Sequence, residues 1–117
     1  MPGLVRIMSH SFETEFVPKL RLDDNNEQAG NGVAAYGMYD GLALKFTFEA
    51  NMAADRERQT FVHENLHAML DLAGLDDTLG AQAPGLDEHV VTTLAPLILT
   101  WLRENPGMHA YLTEVVA

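Results

Sequence analysis

Cysteine is absent from this chain. Disulfide staples and thiolate ligation are therefore excluded, and any metal site must be built from imidazole and carboxylate. That donor set suits catalytic zinc better than structural zinc. Basic residues are scarce: 7 Lys and Arg stand against 17 Asp and Glu, for a formal net charge of -10. Nucleic acid and anionic membranes both require clustered cations to neutralise phosphate, so neither is expected as a partner. No run of about twenty apolar residues occurs, and Met1 to His10 lacks the charged-then-apolar layout of a signal peptide. The expectation is a soluble, intracellular, cytoplasmic protein with no membrane span. With 117 residues and 47% apolar content there is material for one modest core, which predicts a single domain over residues 1–117.

What the chain does contain is His63-Glu64-Asn65-Leu66-His67. Two imidazoles four residues apart on a helix point the same way and can share one metal ion. The carboxylate between them is poorly explained by packing. It is well explained as a base that takes a proton from a metal-bound water. Flanking apolar residues recur at spacings of three and four, which predicts a helix from Asp55 to Ala73 that Gly74 ends, with capping residues between Asn51 and Asp55. Val62, Leu66, Met69 and Ala73 form its expected core stripe, with His63 and His67 on the adjacent face. The plain alternative is a pair of hydrogen-bonded histidines on a half-buried helix, without chemistry. Charge distribution speaks to the same region: no Lys or Arg occurs between Arg58 and Arg103, while Glu64, Asp71, Asp76, Asp77, Asp87 and Glu88 all do. A negative field there favours a divalent cation and cationic peptide segments, and is also what a solvated acidic surface produces.

Upstream, Leu4 to Met8 and Phe12 to Val17 read as one strand, or as two broken near Ser9-His10-Ser11. His10, at a strand end, reads as a surface residue. Residues 23–32 are rich in Asp, Asn and Gly and predict a loop. Val33 to Tyr39 and Leu42 to Phe48 flank Asp40-Gly41, which predicts a hairpin closed by a two-residue type I′ turn. Its second arm alternates, with Leu42, Leu44, Phe46 and Phe48 expected on the buried face, and is a candidate to align an extended substrate as an added strand.

Downstream, Leu75 to Gly85 predicts a loop and Leu86 to Glu104 a second long helix carrying Val90, Val91, Leu94, Leu97, Ile98, Trp101 and Leu102. Pro96 removes the amide that would bond the carbonyl of Thr92 and should bend that helix. Asn105-Pro106 predicts a cap and first turn of a short closing helix to about Val115.

Catalytic zinc needs three protein ligands and one vertex for water, so the two histidines require a partner. Glu88, His89, Asp71 and His109 qualify. Ligand type and placement at a helix start favour Glu88, then His89. Asp71 could instead accept the free N–H of His67 and orient it. His109, Tyr111, Tyr36 and Tyr39 are the residues able to act as an oxyanion stabiliser, and spacing does not choose among them.

The order of these elements, with His63-Glu64-x-x-His67 on one helix and Asp87-Glu88-His89-Val90-Val91 opening the next, resembles the minimal gluzincin-type zinc metallopeptidases. More narrowly, His63 to Ala68, Val90-Val91-x-x-Leu94-Ala95-Pro96 and Leu102 to Pro106 are similar to short metallopeptidase-like proteins of phages and prophages. The resemblance implies an α+β, zincin-like fold: an N-terminal antiparallel sheet with a hairpin packed on the motif helix, then a second long helix and a short closing one. It implies Zn²⁺ held by His63, His67 and Glu88, with Glu64 as general base in hydrolysis of a peptide or protein substrate, and a phage or host protein as partner. The chain departs from the larger gluzincins at Thr92, where they carry an acid four positions after the ligand glutamate. It also lacks their accessory domains. A metal-binding or interaction module on the same scaffold, with little peptidase activity, is the rival expectation.

Overall fold

A computed structural model describes residues 1–20 and 36–114. The expected loop at 23–32 and the first residues of the predicted hairpin lie outside the described residues. So does the expected end of the closing helix near Val115.

The N-terminal segment forms two strands, β1 (Leu4–Ile7) and β2 (His10–Val17), paired antiparallel with Ile7 opposite His10. Met8 and Ser9 connect them with φ of 49° and 72°. Positive φ at both central residues is the type I′ geometry that suits the right-handed twist of a tight hairpin. The Asp40-Gly41 hairpin forms as well, between β3 (Gly37–Asp40) and β4 (Lys45–Glu49), but not with the expected two-residue turn. Asp40 opposes Lys45, leaving four residues in the connection. There Asp40 Oδ1 accepts the amides of Leu42 and Ala43, both at 3.1 Å, and Leu44 takes the left-handed conformation at φ 53°. Leu42 and Leu44 consequently leave the buried face assigned to them: both are exposed, and only Phe46 and Phe48 are fully buried.

The four strands make one mixed sheet in the order β1-β2-β4-β3. It is not wholly antiparallel, because β4 runs parallel to β2. The reason lies in which hairpin arm carries the aromatics. Phe46 and Phe48 of β4 meet Phe12 and Phe16 of β2 at ring separations of 5.2 and 6.0 Å, and burying them puts β4 inside the sheet. Since β4 is paired on both edges, it cannot accept an added strand. Its glycine-bearing partner β3 takes the outer place.

Helix α1 (Ala54–Leu72) covers the sheet. Its N-cap is Ala53, with no side-chain cap, so the expected capping residues are not used. Phe61, Ala68 and Leu72 join Ile7, Phe12, Phe46 and Phe48 in the core. The buried stripe is thus rotated from the expected one: Met69 and Ala73 are exposed, and Val62 and Leu66 are half-buried. Packing against aromatic strands favours the face with the small Ala68. The polar residues this rotation buries are Thr60, Glu64 and Asn65. Thr60 Oγ1 and Asn65 Nδ2 donate to the carbonyls of Arg56 and Phe61, so neither burial leaves a polar atom idle.

Gly74, at φ 74°, ends α1 and begins α2 (Leu75–Gln82), a helix where a loop was expected. Asp76 and Asp77 lie in its first turn, where the helix dipole stabilises them, and Gly80 costs only about 1 kcal/mol at such a position. Helix α3 (Leu86–Glu104) follows as predicted and runs continuously through Pro96. It packs antiparallel to α1, with Arg103 bonded to Asp55 at 2.7 Å at one end and Glu88 against His63 and His67 at the other. Asn105 does not start the closing helix α4 (Met108–Thr113). It closes α3, donating from Nδ2 to the Trp101 carbonyl, and Gly107 at φ 92° serves as the N-cap instead. No helix among the described residues is long and apolar enough to cross a membrane.

Candidate metal centre

One turn of α1 separates His63 from His67, and their rings sit 5.0 Å apart. Both Nε2 atoms converge on one side chain. Glu88, in the first turn of α3, approaches His63 with Oε1 at 3.0 Å and His67 with Oε2 at 2.6 Å. The two imidazoles hold the Glu88 carboxyl far below the usual carboxylate range by hydrogen bonding. For His67, burial opposes the charged ring, but the hydrogen bond to Glu88 and the charges of Glu64, Glu88 and Asp76 outweigh it and raise its pKa.

His63, His67 and Glu88 each offer one donor atom within 4.8 Å of the others, so this group could hold a metal ion. Tetrahedral zinc at 2.0–2.2 Å from each donor would separate the donors by about 3.4 Å. Glu88 is half-exposed at the start of its helix, which leaves its carboxylate room to adjust. Two imidazoles and one carboxylate, facing an open cavity of about 660 Å³, fit an ion that keeps a vertex for solvent.

Glu64 lies beneath this group, buried and 3.9 Å from His63 Nε2. Burial raises its pKa against the opposing pull of the two histidines. A Cβ on Gly37 would stand 2.7 Å from Thr60 Cγ2 and 2.9 Å from Glu64 Cγ. This glycine therefore lets β3 approach α1 closely enough to wall Glu64 in.

Residues 36–39 line the cavity opposite α1. The Tyr36 carbonyl bonds the Glu49 amide. Alternation along an antiparallel strand then turns the backbone groups of Gly37 and Tyr39 away from β4. The outer edge of β3 meets no other strand among the described residues.

No family model matches the chain, and comparison with curated proteins and with solved structures returns no match.

Of the other ligand candidates, His89 is exposed and is not brought to the group. His109 is exposed on α4 and His10 on β2. Asp71 does not orient His67; it accepts the Tyr39 hydroxyl at 2.7 Å. Burial and that bond push the Tyr39 phenol pKa upward, which ties up one oxyanion candidate. Tyr36 also lines the cavity, whereas Tyr111 and His109 do not.

Three features escaped the reading of the sequence. Thr92 Oγ1 donates to Glu88 Oε1 at 3.2 Å and so supports the carboxylate from one turn away. The i to i+4 spacing carried that signal. Asp76 and Asp87 close the cavity beside His67, forming with it a second group whose donor atoms lie within 4.8 Å. Among the described residues nothing donates to the buried Asp76 Oδ1, and burial and the neighbouring Asp87 raise its pKa. Only the fold brings these two acids together. The third feature is Arg56, whose guanidinium lies 4.5 Å over the Tyr36 ring at the opposite end of the cavity.

Proposed function

We propose that this chain is a zinc-dependent metallopeptidase of the zincin type, with His63, His67 and Glu88 as ligands and Glu64 as general base. One observation carries the reading: a buried glutamate whose carboxylate lies beside a two-histidine, one-carboxylate group that opens on a cavity walled by a strand edge. A structural ion would be closed in by its ligands, whereas this group leaves a face to solvent. Zinc supplies, when bound, a Lewis acid that acidifies water and polarises a carbonyl.

The residues around it have separable tasks. Glu64, with its pKa raised by burial, is suited to take a proton and return it to a leaving amine. Thr92 steadies Glu88. The outer edge of β3, rather than β4, offers main-chain groups to an extended peptide, as strand addition requires. Unfolded protein segments fit such a shallow, strand-walled cleft, and the likeness to phage-encoded metallopeptidase-like proteins suggests a phage or host protein as substrate or partner.

A second reading has an observation of its own. Leu94, Leu97 and Trp101 lie exposed at helical spacing along α3, a surface suited to protein contact. On that reading the chain is an interaction module that binds metal and cleaves little. Elemental analysis and an unfolded-protein substrate separate the two. The peptidase requires about one zinc per chain, and Glu64→Gln must keep the metal while losing hydrolysis. Hydrolysis that survives Glu64→Gln, or a chain that takes up no zinc, removes the peptidase reading.

A further inference from the structure

The cavity has a charge polarity that the metal group does not explain. Tyr36 sits beside Arg56, Gly37 beside Thr60 and Glu64, and Tyr39 beside Asp71, so β3 and α1 run in the same direction along its two walls. At the start of both walls stands Arg56, the one Lys or Arg lining the cavity among the described residues. At the far end stand Asp76 and Asp87, next to His67. Stacking on Tyr36 holds the guanidinium against the wall, and among the described residues no carboxylate forms an ion pair with it. An arginine so placed keeps its donors available in a fixed plane that matches a carboxylate.

We infer that Arg56 is a carboxylate-binding subsite that selects substrates bearing an anionic group on the carboxy-terminal side of the cleaved bond. The inference rests on the peptidase reading and adds direction and specificity to it. A peptide laid antiparallel on β3 has its amino-terminal part at the Asp76 and Asp87 end and its carboxy-terminal part at Arg56. The opposite direction would set its terminal or side-chain carboxylate against the two aspartates. Arg56 precedes His63 by two turns of α1, about 10 Å along the axis. That span is about three residues of extended chain. The group bound is therefore a carboxylate two or three residues beyond the cut, either an Asp or Glu side chain or the chain terminus.

Cleavage of a peptide library by the zinc-loaded protein, mapped by mass spectrometry, provides the test. A preferred peptide is then remade with Glu or Gln at that position and an amidated end, and with Gln and a free terminus ending there. The expected result is kcat/KM higher by about tenfold or more for a carboxylate form, the scale of a charge-assisted hydrogen bond. The two carboxylate forms separate side chain from terminus. The preference should vanish in Arg56→Gln and turn toward Lys in Arg56→Glu, with circular dichroism checking that these exposed substitutions leave the fold intact. Equal rates for the Gln form and both carboxylate forms, with cleavage still dependent on Glu64, overturn the subsite and leave the peptidase standing. If nothing is cleaved, the peptidase reading fails, and fluorescence anisotropy of a fluorescein-labelled extended peptide made in Glu, Gln and free-terminus forms decides the subsite. Carboxylate-dependent binding that Arg56→Gln abolishes upholds it, and equal or absent binding overturns it.

Discussion

The Thr92 hydroxyl donates to Glu88 Oε1 at 3.2 Å, one turn along α3, while the same carboxylate meets His63 and His67. The carboxylate is thus held from its own helix as well as from its neighbour. Thr92→Val keeps the side-chain shape and deletes that donor. Loss of such outer support costs about 10- to 100-fold in metal affinity. Competition against a chelator of known affinity should show a drop of that order, with Thr92→Ser close to the parent chain.

Gly37 predicts a different effect. Its α-hydrogen faces Thr60 Cγ2 and Glu64 Cγ at distances that no Cβ tolerates. Gly37→Ala should destabilise the chain by about 1–3 kcal/mol in denaturant titrations, the usual range for overpacking. Because the metal group lies beyond the contact, zinc affinity should change less than hydrolysis. Adding Thr60→Ser removes one of the two clashing atoms. That double variant should regain stability more fully than activity, since Glu64 is still displaced.

The metal-free chain should have a pH profile set by the same cluster. Glu88 has a lowered pKa, so its contribution is complete above the ordinary value of 4.5 and fades as pH falls toward its folded value. His67 has a raised pKa, so its contribution is complete below 6.5 and fades as pH rises through its folded value. Buried Glu64, also raised, adds a loss of stability as pH climbs above 4.5. Thermal melts in chelator should therefore peak on the acid side of neutrality. His67→Ala should flatten the decline on the alkaline side.

On the proposed zinc reading, added metal should act on folding in the opposite sense to chelator. A ligand that binds only the folded state stabilises by RT ln(1 + [L]/Kd), about 2.7 kcal/mol at a hundredfold excess over Kd. Melting temperature should rise with added zinc in the parent chain and in Glu64→Gln. It should not rise in His63→Ala or His67→Ala. Equal melting of all four with and without metal would remove the ion from both fold and function.

How much of this was legible in the sequence differs from element to element. Helix α3 was readable to its ends because its apolar residues repeat cleanly and Gly85 and Asn105 bound it. The placing of His63, Glu64 and His67 on one helix was readable from spacing. Strand order was not, since it depends on which arm of a hairpin has more aromatic surface to bury. The turn signals were misread in an instructive way. Asp40-Gly41 has the composition of a type I′ turn, yet Gly41 instead lies against the Tyr39–Asp71 pair: a Cβ there would sit 2.7 Å from the Tyr39 hydroxyl and 2.9 Å from Asp71 Oδ2, which would have to shift. The type I′ geometry falls instead to Met8-Ser9, which short-range preference would not select. Helix α2 was hidden by its acids and Gly80. The meeting of Asp76 with Asp87, and of Arg56 with Tyr36, depends on tertiary packing that no local pattern encodes.

Trp101 is the single tryptophan of the chain, and about half of it is open to solvent on the outer side of α3. Its emission is therefore an internal reporter for that flank of the molecule. Anything that settles over Leu97 and Trp101 should shift the band to the blue, whereas zinc arriving at the start of the same helix, more than three turns away, should leave the colour of the light nearly as it was.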